Sequence, residues 1–183
     1  MPVDTNTRWD GIIVRMRSAD ESISYPTIVL EALNNIYSKP VGKALLDQIV
    51  AGVAKKQFGY TVCIMRPGKM EVVDHKWQGG SIAKRGNEAN ACNGVGSITS
   101  VTWHPNMMST PDGERPPYIA LAHELIHALY NLKGEAFGDA SHEEYRTVGL
   151  PPVADAREIT ENKIRAEHDI PLRTAYTGLA VPA

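Results

Sequence analysis

The pattern of apolar and polar residues predicts one strand followed by two helices in the first third of the chain. Residues 9–17, WDGIIVRMR, have the β-branched content of a strand. Residues 22–54 carry apolar residues at helical spacing, interrupted at Ser38-Lys39-Pro40, where the proline restrains the backbone before it. Residues 60–65 and 70–74 are β-prone and flank a Pro-Gly pair, which predicts a hairpin.

The rest of the chain predicts a long surface segment, a strand and two more helices. Residues 75–93 are rich in Gly, Asn, Lys and Ala, which indicates a surface excursion of the kind that often borders a site. Residues 97–103, SITSVTW, read as a strand with Ile98, Val101 and Trp103 facing the core. A strong helix runs from about Pro117 to Leu132, with proline at its start and glycine beyond its end. A later helix is expected over residues 154–168.

The helix near residues 117–132 is apolar on almost every face, so we expect it to run through the interior. Its titratable residues other than tyrosine are His123, Glu124 and His127. Imidazoles at i and i+4 lie on one helix face and can bind one metal ion. Glu124, one position along, suits a catalytic base. Chance spacing is the alternative, but burying three such groups without a partner is costly, so the pattern favours one Zn²⁺ per chain.

A catalytic zinc site needs a third protein ligand and one open position. The extended HExxHxxGxxH pattern fails, because Tyr130 stands at its glycine and Lys133 at its third histidine, which argues against a metzincin. A later glutamate is the remaining common solution. The spacing does not choose among the candidates, which are Glu135, Glu143, Glu144, Glu158 and Glu161.

The length, composition and charge of the chain limit the number of domains and the classes of partner. At 183 residues and 20.0 kDa, the chain suits a single domain over residues 1–183. A formal charge of −2 gives no reason to expect nucleic acid or a membrane surface as partner, and we expect a monomer.

Residues 1–11 lack the features of a secretory signal peptide. We expect Cys63 and Cys92 to be free thiols.

Four segments in fixed order resemble a known family. They are HELIHALY (residues 123–130), EEYRTVGL (143–150), ITENKIR (159–165) and LRTAY (172–176). Their order resembles the HELIH, EELRT, ENxxR and RxxY segments of clostridial neurotoxin light chains. Over most of its length the chain resembles the NleD-type family of bacterial effector zinc metallopeptidases. The resemblance implies an α+β, zincin-like fold, with a small, mostly antiparallel sheet packed on the HExxH helix.

The resemblance also implies roles for residues that follow this helix. Glu144 would be the third zinc ligand. Glu143 would lie behind the ligands and orient them, and Arg146 would brace the segment that contains both glutamates. The alternative is that Ser141 and Glu144 form a capping box at the start of a short helix.

Arg173 and Tyr176 match the RxxY pair and would stabilise the oxyanion of the tetrahedral intermediate. A solvated tail arginine beside a core tyrosine is the alternative. For Glu161 and Arg165 we favour an ion pair on a helix surface over a role in catalysis. Four histidines are expected at the surface: His75, His104, His142 and His168.

The expected function is that of a zinc-dependent endopeptidase in which a zinc-bound water attacks the scissile carbonyl. The resemblance implies an effector or toxin secreted by bacteria and delivered into the cytosol of a host or target cell. Its expected substrate there is a protein, with host signalling proteins as the candidates. The sequence spacing from His127 to Glu144 is much shorter than in the neurotoxins and leaves no room for their large substrate-wrapping loops, so their substrates cannot be carried over. Two alternatives are a catalytically silent zinc-containing module that binds a partner, and a metal-dependent hydrolase of a small or cell-wall peptide.

Strand addition is the expected way of binding a peptide, with the strand before the HExxH helix as the edge of the cleft. The residues expected to bind substrate are Ser97, Ile98, Thr99, Ser100 and Val101.

Overall fold

A computed structural model of the protein describes residues 2–16, 24–53, 61–67, 72–73, 76–77, 81–110 and 113–182. The helices are α1 (Ser24–Tyr37), α2 (Pro40–Val53), α3 (Glu88–Cys92), α4 (Pro117–Lys133), α5 (Ala140–Val148) and α6 (Glu161–Glu167). The strands are β1 (Val3–Asn6), β2 (Ile12–Met16), β3 (Val62–Met65), β4 (Val72–Val73), β5 (Lys76–Trp77), β6 (Ile82–Arg85), β7 (Thr99–Thr102), β8 (Ser109–Thr110) and β9 (Gly113–Glu114). The α+β class is as predicted, and so are α1 and α2 with their break before Pro40.

The main sheet is mixed rather than mostly antiparallel. Its strand order is β1-β2-β3-β7-β6, with parallel pairing of β2 to β3 and of β3 to β7, and antiparallel pairing at both outer strands. The predicted hairpin over residues 60–74 is therefore wrong, because β3 pairs with β2 and β7 while β4 pairs with β5. Val62, Cys63 and Ile64 are all buried, which is the unbroken apolar run of a central parallel strand covered on both faces.

The edge of the sheet beside α4 is β6, not the strand predicted over residues 97–103. β7 pairs with β3 on one side and β6 on the other, so Ser97–Val101 cannot accept a further strand. Ser97, Thr99 and Val101 are buried, while Ile98 is partly exposed. Residues 75–93 were expected to be a surface excursion, yet they contribute β6 and α3. The alternation of exposure in Ile82–Arg85 is that of a half-covered edge strand, but four residues between polar flanks give a weak signal.

Helix α4 passes through the centre of the described structure, as its sequence predicts. Residues 119–132 are all buried, and the helix packs on α1, α2 and α6 as well as on β6 and β7. Pro117 starts the helix, and Gly134 ends it in the left-handed region at φ 76°. Gly134 also lies against another backbone segment, since a β-carbon at this position would stand 2.6 Å from Gly94.

The C-terminal helix is shorter than predicted. Instead of residues 154–168, α6 covers Glu161–Glu167, because the side chain of Thr160 accepts a hydrogen bond from the Lys163 amide and starts the helix there. At its other end Glu167 accepts hydrogen bonds from the amides of Val41 and Gly42, at 2.8 and 2.9 Å, and so caps the first turn of α2. The two cysteines are free, as predicted. None of the helices among the described residues combines the length and apolar character that a membrane span requires.

We expect Gly134→Ala to destabilise the protein by about 3 kcal/mol, because left-handed strain adds to an overlap with the Gly94 backbone. Gly178→Ala is the matched control: its φ is 95°, but a β-carbon there meets nothing within 4 Å, so only about 1 kcal/mol of strain is expected. Urea unfolding of both variants measures the difference. Equal losses would show that the contact with Gly94 contributes nothing.

Candidate active site

Helices α4 and α5 bring the central residues of the site together. One turn apart on α4, His123 and His127 stand with their ring centroids 4.8 Å apart. Helix α5 is capped by Asp139, whose side chain accepts a hydrogen bond from the His142 amide. The capping-box alternative for Ser141 and Glu144 is therefore wrong, because Ser141 is not the cap. Glu144 instead lies against both histidines.

Three side chains converge with the geometry of a metal site. The Nε2 atoms of His123 and His127 are 3.1 Å apart, and the carboxylate of Glu144 lies 3.0 Å from the first and 3.4 Å from the second. Ligand atoms around a tetrahedral zinc with bonds of 2.0–2.1 Å are separated by about 3.3 Å. Burial would raise the pKa of Glu144, but hydrogen bonds with the two histidines lower it, so the residue stays a carboxylate. These three residues could hold one Zn²⁺.

The far sides of both imidazole rings are held by carboxylates. Nδ1 of His123 lies 2.8 Å from Glu161, and Nδ1 of His127 lies 3.1 Å from Glu143. A carboxylate at Nδ1 keeps the ring proton there and directs the Nε2 lone pair at the metal position, as metal-binding histidines require. The donor set therefore fits zinc, with each imidazole oriented by its own glutamate.

The ion pair of Glu161 and Arg165 is not on the surface, which corrects the expectation from the sequence. The Glu161 side chain is fully buried, and Arg165 Nε donates to it over 2.7 Å. Two more guanidinium groups approach the same carboxylate: Arg173 at 3.3 Å and Arg115 at 3.6 Å. Burial would raise the pKa of Glu161, but the contact with His123 and the positive charges of Arg115 and Arg173 lower it. The carboxylate that orients His123 thus remains ionised in the interior.

Arg115 was not found by sequence reasoning. It lies in the loop before α4 and is buried beside Glu161, and its desolvation lowers the pKa of its guanidinium. An arginine before Pro116-Pro117 reads as an ordinary loop residue, and no local pattern in the sequence indicates that it is buried. Glu161 was among the candidate ligands, but the sequence did not indicate its position behind His123.

Tyr176 and Arg173 lie next to each other but face the site differently. Tyr176 forms part of the cavity wall, with its ring centroid 6.4 Å from that of His123. Burial and the negative charge of Glu144 raise the pKa of Tyr176, so its phenol keeps its proton. The Arg173 guanidinium carbon stands 4.5 Å from the centroid of the Tyr176 ring, and the side chain is buried against Glu161. The alternative of a solvated tail arginine is therefore wrong.

A cavity of about 580 Å³ opens over the two histidines. Its walls are β6 and the residue before it on one side, and the segment from Phe137 to Ala140 with Glu143, Glu144 and Tyr176 on the other. Glu124 also lines this cavity, and burial raises its pKa. A carboxyl group with a raised pKa beside a metal position can take up and return a proton. The arrangement is a cleft with a candidate base at its floor.

The other sequence candidates lie away from the three convergent side chains. Arg146 pairs with Glu158 and donates to the backbone carbonyl of Glu135 over 2.7 Å, while its guanidinium carbon lies 3.6 Å from the ring centroid of Tyr130. It therefore braces the segment after α4 rather than Glu144 directly. His104, His142 and His168 are all partly exposed, and His75 lies outside the described residues.

Comparison with known proteins gives a family and a fold. A sequence profile of the Peptidase M91 family, described as effector protein, matches residues 15–176. A search of curated proteins finds no match. Among solved structures, the crystal structure of the botulinum neurotoxin type G light chain is similar, with a TM-score of 0.56 and 16% identity over 86% of this chain. The chain spans 55% of that light chain. The resemblance stated from the four segments is confirmed.

We expect Glu161→Gln to cost most stability near neutral pH, with the cost shrinking under acidic conditions. The pKa of Glu161 is lower in the folded protein than in the unfolded chain, where it is about 4.3. Glu161 therefore stabilises the fold fully above the unfolded pKa, and this stabilisation is lost as the pH falls through the folded pKa. Urea unfolding from pH 7 down to pH 3, with chelator present, measures the difference. Glu31→Gln, on an exposed position of α1, is the control. A difference that grows as the pH falls would contradict the assignment.

Proposed function

The chain belongs to the Peptidase M91 family of effector proteins, and from this premise we propose that it is a zinc-dependent endopeptidase that cleaves a protein of the host or target cell. The observation that carries the proposal is the convergence of His123, His127 and Glu144 below a cleft that also holds Glu124. Delivery by bacteria into the cytosol of another cell is part of the same proposal, and it rests on the description of the family as effector proteins.

His123, His127 and Glu144 would hold the zinc ion, which when bound lowers the pKa of water and polarises a carbonyl. Glu124 is the proposed base. Because burial raises its pKa, it can accept a proton during attack on the scissile carbonyl and return it to the leaving amine. Glu143 and Glu161 keep the imidazoles in the orientation that binds the metal.

Tyr176 is the proposed donor to the oxyanion that develops on the substrate carbonyl. Its phenol is on the cavity wall and retains its proton, so it can donate a hydrogen bond to developing negative charge. Arg173, over the face of the Tyr176 ring, adds positive charge to this step without lining the cavity. A silent binding module would have no use for a carboxyl group of raised pKa beside the metal position, which favours catalysis over that alternative.

The substrate is proposed to add as a strand to the edge of β6 that faces away from β7, which no other described strand occupies. The Gly86 amide donates to the Ile98 carbonyl over 2.9 Å. Because backbone hydrogen bonds alternate along an antiparallel pair, the even-numbered residues of β6 form theirs with β7. The backbone groups of Ala83 and Arg85 therefore point outward, towards the cleft. An extended peptide that pairs with these two residues would lie alongside the histidines, because β6 forms one wall of the cavity.

We expect Glu124→Gln to lower the rate of cleavage by about 10²–10⁴-fold, since it removes the group that moves the proton. Zinc content should stay at one ion per chain. The measurement is mass spectrometry of a library of proteome-derived peptides incubated with each protein, with and without chelator. Glu135→Gln is the control, because this carboxylate is not part of the cleft wall. Unchanged cleavage by Glu124→Gln would refute the assigned base, and cleavage that survives chelation would refute the metal.

We expect Ala83→Pro to lower kcat/KM about tenfold, because it removes one outward N–H and one hydrogen bond is worth roughly 1.4 kcal/mol. Its stability should change little, since proline is tolerated where the N–H of an edge strand faces away from the sheet. Lys84→Pro is the matched control. It removes an inward hydrogen bond to β7 and should cost about 3 kcal/mol of stability. Full activity in Ala83→Pro would exclude strand addition at this edge.

A further inference from the structure

Arg85, the last residue of β6, joins four parts of the structure. Its side chain is 17% exposed. Nε donates to Asn131 Oδ1 on α4 over 3.1 Å, Nη1 to Glu88 on α3 over 3.0 Å, and Nη2 to the carbonyl oxygen of Phe137 over 2.8 Å. One guanidinium group thereby ties the outer strand to the HExxH helix and to the turn that follows it.

The turn at Phe137 leads directly to the metal site. The Phe137 amide donates to Glu143 Oε2 over 2.6 Å, and the other oxygen of Glu143 lies 3.1 Å from Nδ1 of His127. The carbonyl of Phe137 is therefore held by Arg85 while its amide holds the carboxylate that orients His127. The Arg85 guanidinium is therefore connected to the His127 imidazole through the backbone of Phe137 and the carboxylate of Glu143.

We propose that Arg85 is a positioning residue that fixes the orientation of His127 through Phe137 and Glu143. The inference rests on the proposed function, because it gives His127 the task of binding the metal. Arg85 fixes the backbone at Phe137, and the Phe137 amide binds one oxygen of Glu143. The other oxygen of Glu143 is thereby directed at the imidazole of His127. Without Arg85 the turn loses its tie to β6, and Glu143 can rotate away from Nδ1.

The same side chain sets the separation of the two cleft walls. β6 forms one wall and the segment from Phe137 to Ala140 forms the other. Arg85 bridges them with Nη2, while Asn131, its partner on α4, donates to Thr99 Oγ1 over 3.0 Å and so reaches the next strand. A substrate strand on β6 would therefore be held at a fixed distance from the metal position.

Arginine suits this position for a geometric reason. Its planar group carries five N–H donors in fixed directions, and three of its nitrogens already serve three different partners. A lysine at the same position carries a single ammonium group and cannot reach Asn131, Glu88 and the Phe137 carbonyl together. Because the side chain is committed to the protein, direct recognition of an acidic substrate residue is the less favoured role.

The test compares Arg85→Met and Arg85→Lys with wild type, using the zinc-loaded full chain. The first measurement is the zinc dissociation constant from competition with a chelating dye. The second is hydrogen exchange at the Phe137 amide, which reports the bond to Glu143 directly. Glu167→Gln is the control, because it loosens the cap of α2 and lowers stability far from the cleft.

For Arg85→Met we expect zinc to bind about tenfold more weakly and the Phe137 amide to exchange about tenfold faster. Arg85→Lys should resemble Arg85→Met, and Glu167→Gln should resemble wild type in both measurements. Wild-type zinc affinity or wild-type exchange in Arg85→Met would overturn the proposal, as would full rescue by lysine. Wild-type zinc affinity and wild-type exchange together with slower cleavage of the peptide library in Arg85→Met would assign Arg85 to substrate binding instead. Wild-type protein that holds zinc but cleaves nothing would refute the proposed function while leaving the comparison of zinc affinities valid.

Discussion

The structure depends on one electrostatic constraint, which is that the buried polar face of α4 must be paired. His123, Glu124 and His127 are buried titratable groups on a helix that is mostly apolar and is enclosed by α1, α2, α6 and the sheet. Burying such groups without partners costs several kcal/mol each. The chain meets this cost by bringing carboxylates from two later helices to the imidazoles.

Much of the C-terminal half follows from this requirement. Helix α5 carries Glu143 and Glu144, and α6 carries Glu161, so each short helix contributes at least one carboxylate to the histidines. Those carboxylates then need partners of their own. Three arginines surround Glu161, and the amide of Phe137 serves Glu143. The arginines thus keep Glu161 ionised, the Phe137 amide orients Glu143, and the two glutamates in turn orient the histidines.

The mixed sheet gives this site an accessible side. Its parallel centre is covered and carries the core, while β6 pairs, among the strands that the structure describes, with β7 alone and leaves its other edge towards the cleft. The described elements have a fold similar to that of a neurotoxin light chain and span 55% of it. In the catalytic proposal, the ligands, the base and the cleft edge come from α4, α5 and β6, and the oxyanion donor comes from the segment after α6.

The sequence by itself determined the features that depend on local spacing. The i and i+4 histidines, the apolar surface of α4, its proline start and its glycine end are all readable along the chain, because helix geometry is local. The four ordered segments also identified the family. Glu144 was indicated only by that resemblance, since the spacing alone left five glutamates as candidates.

Tertiary structure decided whatever depends on residues far apart in sequence. β3 reads locally as half of a hairpin, but its two partners come from distant segments and pair with it in parallel. Glu161 and Arg165 have the spacing of an ordinary surface ion pair, yet packing of α6 on α4 buries both and places Glu161 behind His123. Arg115 has no local signature at all. Pairing and burial depend on which surfaces meet in space, and no periodicity within one segment contains that information.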